Sequence, residues 1–119
     1  MRHQKTHRKL GVWSSYRKMM LRNLATNLVL SGKIETTEAR SKELRRKVDK
    51  IFVIAKNEDL SSIRRVYSFF TTKQAAKRCL EDAKTKFDQK KTGGFTRQFK
   101  LGPRRGDGAP LVLVKLDYA

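Results

Sequence analysis

Acid is scarce in this chain. Eleven Asp and Glu face 29 Lys and Arg over 119 residues, leaving a formal net charge of +18. No acidic block offsets the cations, which run through every segment instead of gathering in one tail. Such a field is self-repulsive, so it implies a polyanionic partner. Cysteine is scarcer still. A lone Cys79 excludes an internal disulfide and any thiolate metal cluster, and suits a reducing compartment. Long apolar runs are missing too. The longest stretch without a charge, NLATNLVLSG at 23–32, is about half what a membrane-spanning helix needs. MRHQKTHRKL at the start lacks the apolar core of a signal peptide.

Catalytic signatures are also missing. There is no phosphate-binding G-x-x-x-x-G-K-[ST] loop, no G-x-S-x-G elbow and no His-Glu helix motif. His3 and His7 have helical metal-ligand spacing, but they sit among cations with no acidic or thiolate partner nearby. Glu35, Glu38 and Glu43 can be assembled on paper into a carboxylate site for metal-dependent RNA cleavage. As cap-region and surface partners of neighbouring cations they are more simply explained. Arg105-Gly106-Asp107 spells an adhesion tripeptide that has no meaning without secretion. The residues therefore point to no enzyme, no cofactor, no metal and no small-molecule substrate.

What the chain does have is one domain's worth of amphipathic pattern. Residues 1–12 read as an extended basic arm, and residues 13–119 as a single globular unit. Ser14 or Ser15 offers a cap for a helix stopped by Gly32, with Tyr16, Met20, Leu24 and Leu28 recurring every four residues and Met19, Leu21, Val29 and Leu30 widening the apolar surface beyond that stripe. Lys18, Arg22 and Thr26 make its narrow polar strip. KIETT at 33–37 reads as a strand. The clearest helix follows over about 38–56, with Leu44, Val48, Ile51, Phe52 and Ala55 inward and the row Lys42, Arg46, Lys50 opposite. Only Glu38 and Asp49 lie near enough in sequence to neutralise that row.

Asp59 or Ser61 starts a shorter helix carrying Ile63, Val66, Tyr67 and Phe70. Thr71 or Thr72 caps another, with Ala76, Cys79, Leu80, Ala83 and Phe87 inward and Lys84, Lys86, Lys90 and Lys91 at its exit. After Gly93-Gly94 the period becomes two: Phe95, Arg97, Phe99 and Leu101 share one strand face, and Thr96, Gln98 and Lys100 the other. Leu111–Leu116 is a second strand. Between them, 102–110 predicts an open, adaptable hairpin loop, in which Arg104 and Arg105 can fork onto phosphates. Arg97, between two phenylalanines, can stack on a base.

Several ordered blocks carry a resemblance. MRHQKTHRKL, SSYRKMMLRNLATNLV, IETTEARSKELRR and GGFTRQFKLGPRRGDGAP are similar to the bacterial-type large-subunit ribosomal protein family L17, in order from Met1 to about Asp117. The resemblance implies an α+β, two-layer domain of about four helices packed on one small mixed sheet of about three strands. It also implies a structural component of the large subunit that binds the large rRNA beside neighbouring large-subunit proteins.

On that reading the RNA-binding residues are Arg2, His3, Lys5, Arg8 and Lys9 of the arm, with Arg17, Lys18 and Arg22 of the first helix. Lys42, Arg45, Arg46 and Lys50 of the second helix join them, as do Arg97, Lys100, Arg104 and Arg105 of the hairpin. Gly11-Val12-Trp13 departs from the family's usual polar, basic stretch. Two roles stay open for Trp13: stacking on RNA or sealing the core. A start at Met1-Arg2-His3 without a transit segment points to a bacterial cytoplasmic ribosome over an organellar one. The charge alone equally suits a sequence-tolerant DNA-binding architectural protein, and competition between folded rRNA and duplex DNA separates the two.

Overall fold

Gly32 makes the first corner of the fold. Helix α1, Ser14–Ser31, ends where Gly32 turns to φ 83°, and the Gly32 N–H donates to the Leu28 carbonyl at 2.7 Å. Glycine alone takes that left-handed conformation without steric cost. The Gly32 carbonyl accepts from the Leu116 N–H at 3.0 Å, so the same residue that stops the helix ties it to the last strand. This computed structural model describes residues 8–57, 59–86 and 93–117.

From that corner the chain runs through β1 (Lys33–Thr37), α2 (Glu38–Lys56), α3 (Leu60–Phe69), α4 (Lys73–Thr85), β2 (Thr96–Pro103) and β3 (Pro110–Leu116). Among the described residues, four helices and one three-stranded sheet make the expected α+β domain. The sheet is not mixed, however. Its order is β1-β3-β2, and both pairings are antiparallel. The helical crossover returns β2 parallel to β1, but β3 slots between them, so no two parallel strands are neighbours.

Helices cover one face of this sheet. Val112, Val114 and Leu116 alternate along β3 and are buried on the helical side. Against them pack Leu21, Ala25, Leu28 and Val29 of α1, Leu44, Val48, Ile51, Phe52 and Ala55 of α2, and Ala75, Ala76, Cys79 and Ala83 of α4. Fully burying a side chain the size of Leu or Phe stabilises the fold by about 1.5–3 kcal/mol. Phe52 stacks on Phe95 at 5.4 Å between centroids, and the Lys56 ammonium lies 5.2 Å from the Phe95 ring centre.

The structure revises several local expectations. Trp13, not a serine, is the N-cap of α1, and it gives no side-chain cap bond. Thr72 does cap α4, accepting from the Ala75 N–H at 3.3 Å. In α1 Tyr16 and Met19 of the expected apolar surface are exposed, whereas Leu21, Leu28 and Val29 are buried as expected, with Ala25 between them. Thr26, expected in the polar strip, is buried; its hydroxyl donates to the Arg22 carbonyl and accepts from Thr71. Tyr67 is exposed, and Phe70 buries itself from just beyond the end of α3. Phe87, Lys90 and Lys91 lie outside the described residues.

In β2 the alternation holds, and the polar face is the one that meets the helices. Thr96 is buried, whereas Phe99 and Leu101 are about half exposed on the outer face. Phe95 precedes the strand and turns inward, which parts it from Arg97 and Phe99. The hairpin is also tighter than an open loop. Strand pairing runs to Pro103 opposite Pro110, past an irregularity between Lys100 and Gly102 that Gly102 absorbs at φ 101°.

Candidate nucleic-acid interface

The arm's base is docked. Glu43 of α2 is only 6% exposed, and its Oε1 accepts from the Arg8 backbone N–H at 3.0 Å and from Arg8 Nη1 at 3.1 Å. Arg46 Nη1 stands 3.8 Å from the same oxygen. A buried carboxylate needs such partners, because leaving its charge unpaired is strongly unfavourable. Arg2, His3 and Lys5 lie outside the described residues.

Three further arginines turn their donors onto the protein. Helix α3 has no basic residue in its last turn. Arg22 reaches across from α1 to supply one, donating from Nε to the Phe69 carbonyl at 2.6 Å and from Nη2 to the Ser68 carbonyl at 2.9 Å. Those oxygens belong to the helix end that intrahelical bonding leaves unsatisfied, where the dipole also favours a cation. Arg45 stitches α2 to β2: Nε donates to Thr96 Oγ1 at 3.1 Å, Nη1 to Gln98 Oε1 at 3.3 Å and Nη2 to the Thr96 carbonyl at 3.4 Å. This is why the polar face of β2 looks inward.

Arg104 organises its own loop. Its Nε donates to Asp107 Oδ1 at 3.0 Å and its Nη2 pairs closely with Oδ2, while its backbone N–H donates to the Ala109 carbonyl at 2.7 Å. The Arg104 hydrogen bond, with help from the Ala109 N–H, holds the Asp107 carboxyl down at about 2. The same bond raises Arg104. The tip is thus internally braced instead of adaptable, with Arg105 exposed upon it.

The remaining cations face outward. Lys9, Lys18, Lys42, Arg46, Lys50, Arg97, Lys100 and Arg105 are all exposed, and Arg17 is half-buried with Nη1 on the Lys9 carbonyl at 3.4 Å. Lys42 pairs with Glu38 at 3.3 Å, as the spacing predicts. Asp49 Oδ1 accepts from the Phe95 N–H at 3.2 Å, and Asp49 lines a hollow with Lys42 and Arg46 of the row. Glu43, not counted among the row's neutralising acids in the sequence, also stands 3.8 Å from Arg46. Arg97 pairs with Asp117 at 3.0 Å on the outer sheet face.

The fold adds cations that sequence spacing did not single out. Lys47 and Arg65 join Arg22 and Lys50 around a cleft of about 370 Å³ floored by Ile51 and Ile54. Lys33, Lys115 and Arg97 stand side by side across the sheet as register partners. Neither grouping shows in the sequence, because it depends on the register and on the packing of α3 against α2.

The three glutamates of the hypothetical cleavage site have separate surroundings: Glu38 holds Lys42, Glu43 holds Arg8, and Glu35 is exposed on β1. Among the described residues, no three His, Cys, Asp or Glu come together in a metal-binding group. No described helix is long and apolar enough to cross a membrane. Cys79 is buried in the core, and burial, with the charge of Asp82, pushes its thiol well above the usual range.

Fold and surface together define a class: a small cationic α+β scaffold whose exposed charge is spread over helices, sheet and hairpin. Comparison with known proteins narrows it. The family model described as Ribosomal protein L17 matches residues 20–117. Relatives named large ribosomal subunit protein bL17 from Clostridium kluyveri and Clostridium tetani are each 46% identical over 110 residues, covering 92% of this chain and 96% of theirs. The protein of that name from Clostridium botulinum matches to the same extent. The chain belongs to the ribosomal protein L17 family.

Proposed function

We propose that this chain is a non-catalytic, structural constituent of the large ribosomal subunit that holds the large rRNA through dispersed cations. The observation that carries the reading is the likeness to large-subunit proteins along 92% of the chain. The charge supports it physically. RNA is recognised largely through shape and backbone, so scattered phosphate contacts suit it better than one reading helix.

Within this reading the contacts divide by exposure and by what the side chains already touch. Lys9, Lys18, Lys50, Lys100 and Arg105 reach phosphates directly, and Lys42 and Arg46 do so from beside their carboxylate partners Glu38 and Glu43. Arg17, Arg97, Lys33, Lys47, Arg65 and Lys115 stand beside them, and Arg2, His3 and Lys5 extend the contact along the arm. Arg8, Arg22, Arg45 and Arg104 shape the surface that presents them. Neighbouring large-subunit proteins complete the surroundings. The bacterial relatives support a cytoplasmic ribosome as its place.

The test is binding of the full chain to large-subunit rRNA across a salt series. With six or more phosphate contacts, affinity falls by about a thousandfold or more between roughly 50 and 200 mM salt. A nearly flat response, or failure of a tagged copy to sediment with large subunits, overturns the reading.

A further inference from the structure

Trp13 is the only tryptophan in the chain, and it is 85% exposed. Of the two roles left open by the sequence, sealing the core is therefore excluded. Its backbone is extended at the entrance of α1, which sets the indole out from the helix end. One helical turn on, Tyr16 is 60% exposed on the same side. With Gly11 and Val12 the two rings line an open hollow of about 270 Å³. A side-chain carbon added at Gly11 would meet nothing within 4 Å, so one wall is unobstructed.

Charge identifies the occupant. No Asp or Glu occurs before Glu35 in the sequence. Lys9 and Lys18, both exposed, bracket the aromatic pair in sequence, and Arg17 lies between them. The first turn of α1 carries no acid and no side-chain cap, so its positive end is uncompensated. Two exposed rings in a cationic segment that carries no acid of its own are the combination that binds single-stranded nucleic acid: bases stack on the rings while cations track the backbone. A paired helix keeps its bases stacked on each other and offers no such face.

We propose that Trp13, backed by Tyr16, stacks on an unpaired base of the large rRNA, with Lys9 and Lys18 on the flanking phosphates. This rests on the rRNA-binding reading above and adds to it a specific preference for unpaired nucleotides at this end of α1.

A sole tryptophan makes the test direct. Emission of the full chain is followed while a mixed-sequence single-stranded RNA dodecamer is added, then a duplex of the same length, with binding read separately by anisotropy of labelled RNA. The single strand quenches Trp13 and the duplex does not. Trp13→Ala weakens single-strand binding by about five- to a hundredfold, whereas Trp13→Phe keeps most of it. Because Trp13 is so exposed, melting of both variants stays at the wild-type temperature, so a loss of affinity is not a loss of fold.

Unchanged emission with RNA bound, or wild-type affinity in Trp13→Ala, overturns the stacking site and leaves the rRNA reading standing. Absence of any RNA binding overturns both. Shielding of Trp13 from iodide in intact subunits, without quenching by RNA alone, also overturns it and assigns the ring to a protein neighbour.

Discussion

Arg45 and Lys50 lie on one helix and carry the same charge, yet their replacement by Ala is expected to do opposite things. Arg45→Ala removes one charge-assisted hydrogen bond of ordinary length, to Thr96 Oγ1 at 3.1 Å, and two long ones at 3.3 and 3.4 Å. A hydrogen bond to a charged group contributes about 1.5–3 kcal/mol, and bonds near the distance limit add less. Thr96, 3% exposed, also loses the donor to its hydroxyl. The combined loss is about 2–3 kcal/mol, a large part of the roughly 5–15 kcal/mol that holds a domain this size together. Melting falls by about 10 °C.

Lys50→Ala touches no such network. Its position is exposed, Ala suits a helix at least as well as Lys, and the stability change stays within about 0.5 kcal/mol. What changes instead is RNA binding. Losing one phosphate contact lowers the slope of log affinity against log salt by about 0.7–0.9, whereas Arg45→Ala, assayed well below its melting temperature, leaves the slope at the wild-type value. Thermal melts and salt titrations on the two variants read both quantities. If Arg45→Ala melts with the wild type and flattens the salt response as Lys50→Ala does, then the stitch is not what Arg45 is for.

The hairpin tip and the core offer two more tests. Asp107 has a depressed carboxyl, so its pairing with Arg104 is complete above the ordinary value of 3.8 and is lost as pH falls through about 2. Carboxyl shifts followed by NMR titrate with a midpoint near 2, and a midpoint near 3.8 refutes the brace. Cys79 is buried with its thiol pushed upward, so a thiol reagent reacts roughly a thousandfold or more slowly with the folded chain than in denaturant; comparable rates refute the burial.

The periodicities were legible because they are local. Gly32 ends a helix wherever it is read, and Leu44, Val48, Ile51 and Phe52 mark one face of α2 regardless of what covers it. The register was not local. Whether β2 turns Phe99 or Thr96 toward the helices depends on Arg45, which lies 51 residues earlier than Thr96 and meets it only in the folded chain. Alternation showed two faces without saying which was inside, and an apolar pair on the outer face ran against the simplest choice. The antiparallel sheet was hidden for the same reason: placing β3 between β1 and β2 is a long-range decision.

The candidate site divides along a chemical line that a count of charges cannot see. Arg22, Arg45 and Arg104 place forked guanidinium donors on helix-end carbonyls, a strand edge and a loop aspartate, and Arg8 places Nη1 on a buried carboxylate. Lysine, a compact and strongly hydrated point charge, satisfies several acceptors less well and stays in water, as Lys9, Lys18, Lys47, Lys50, Lys100 and Lys115 do. The formal charge of +18 is therefore doing two jobs. Part of it organises the protein, and only the remainder faces outward. A salt response of the free chain should follow the exposed subset and fall short of what the full charge suggests. Replacing exposed lysines by arginine should then leave the fold unchanged, whereas replacing the inward arginines by lysine should destabilise it, since the second exchange keeps the charge and discards the fork.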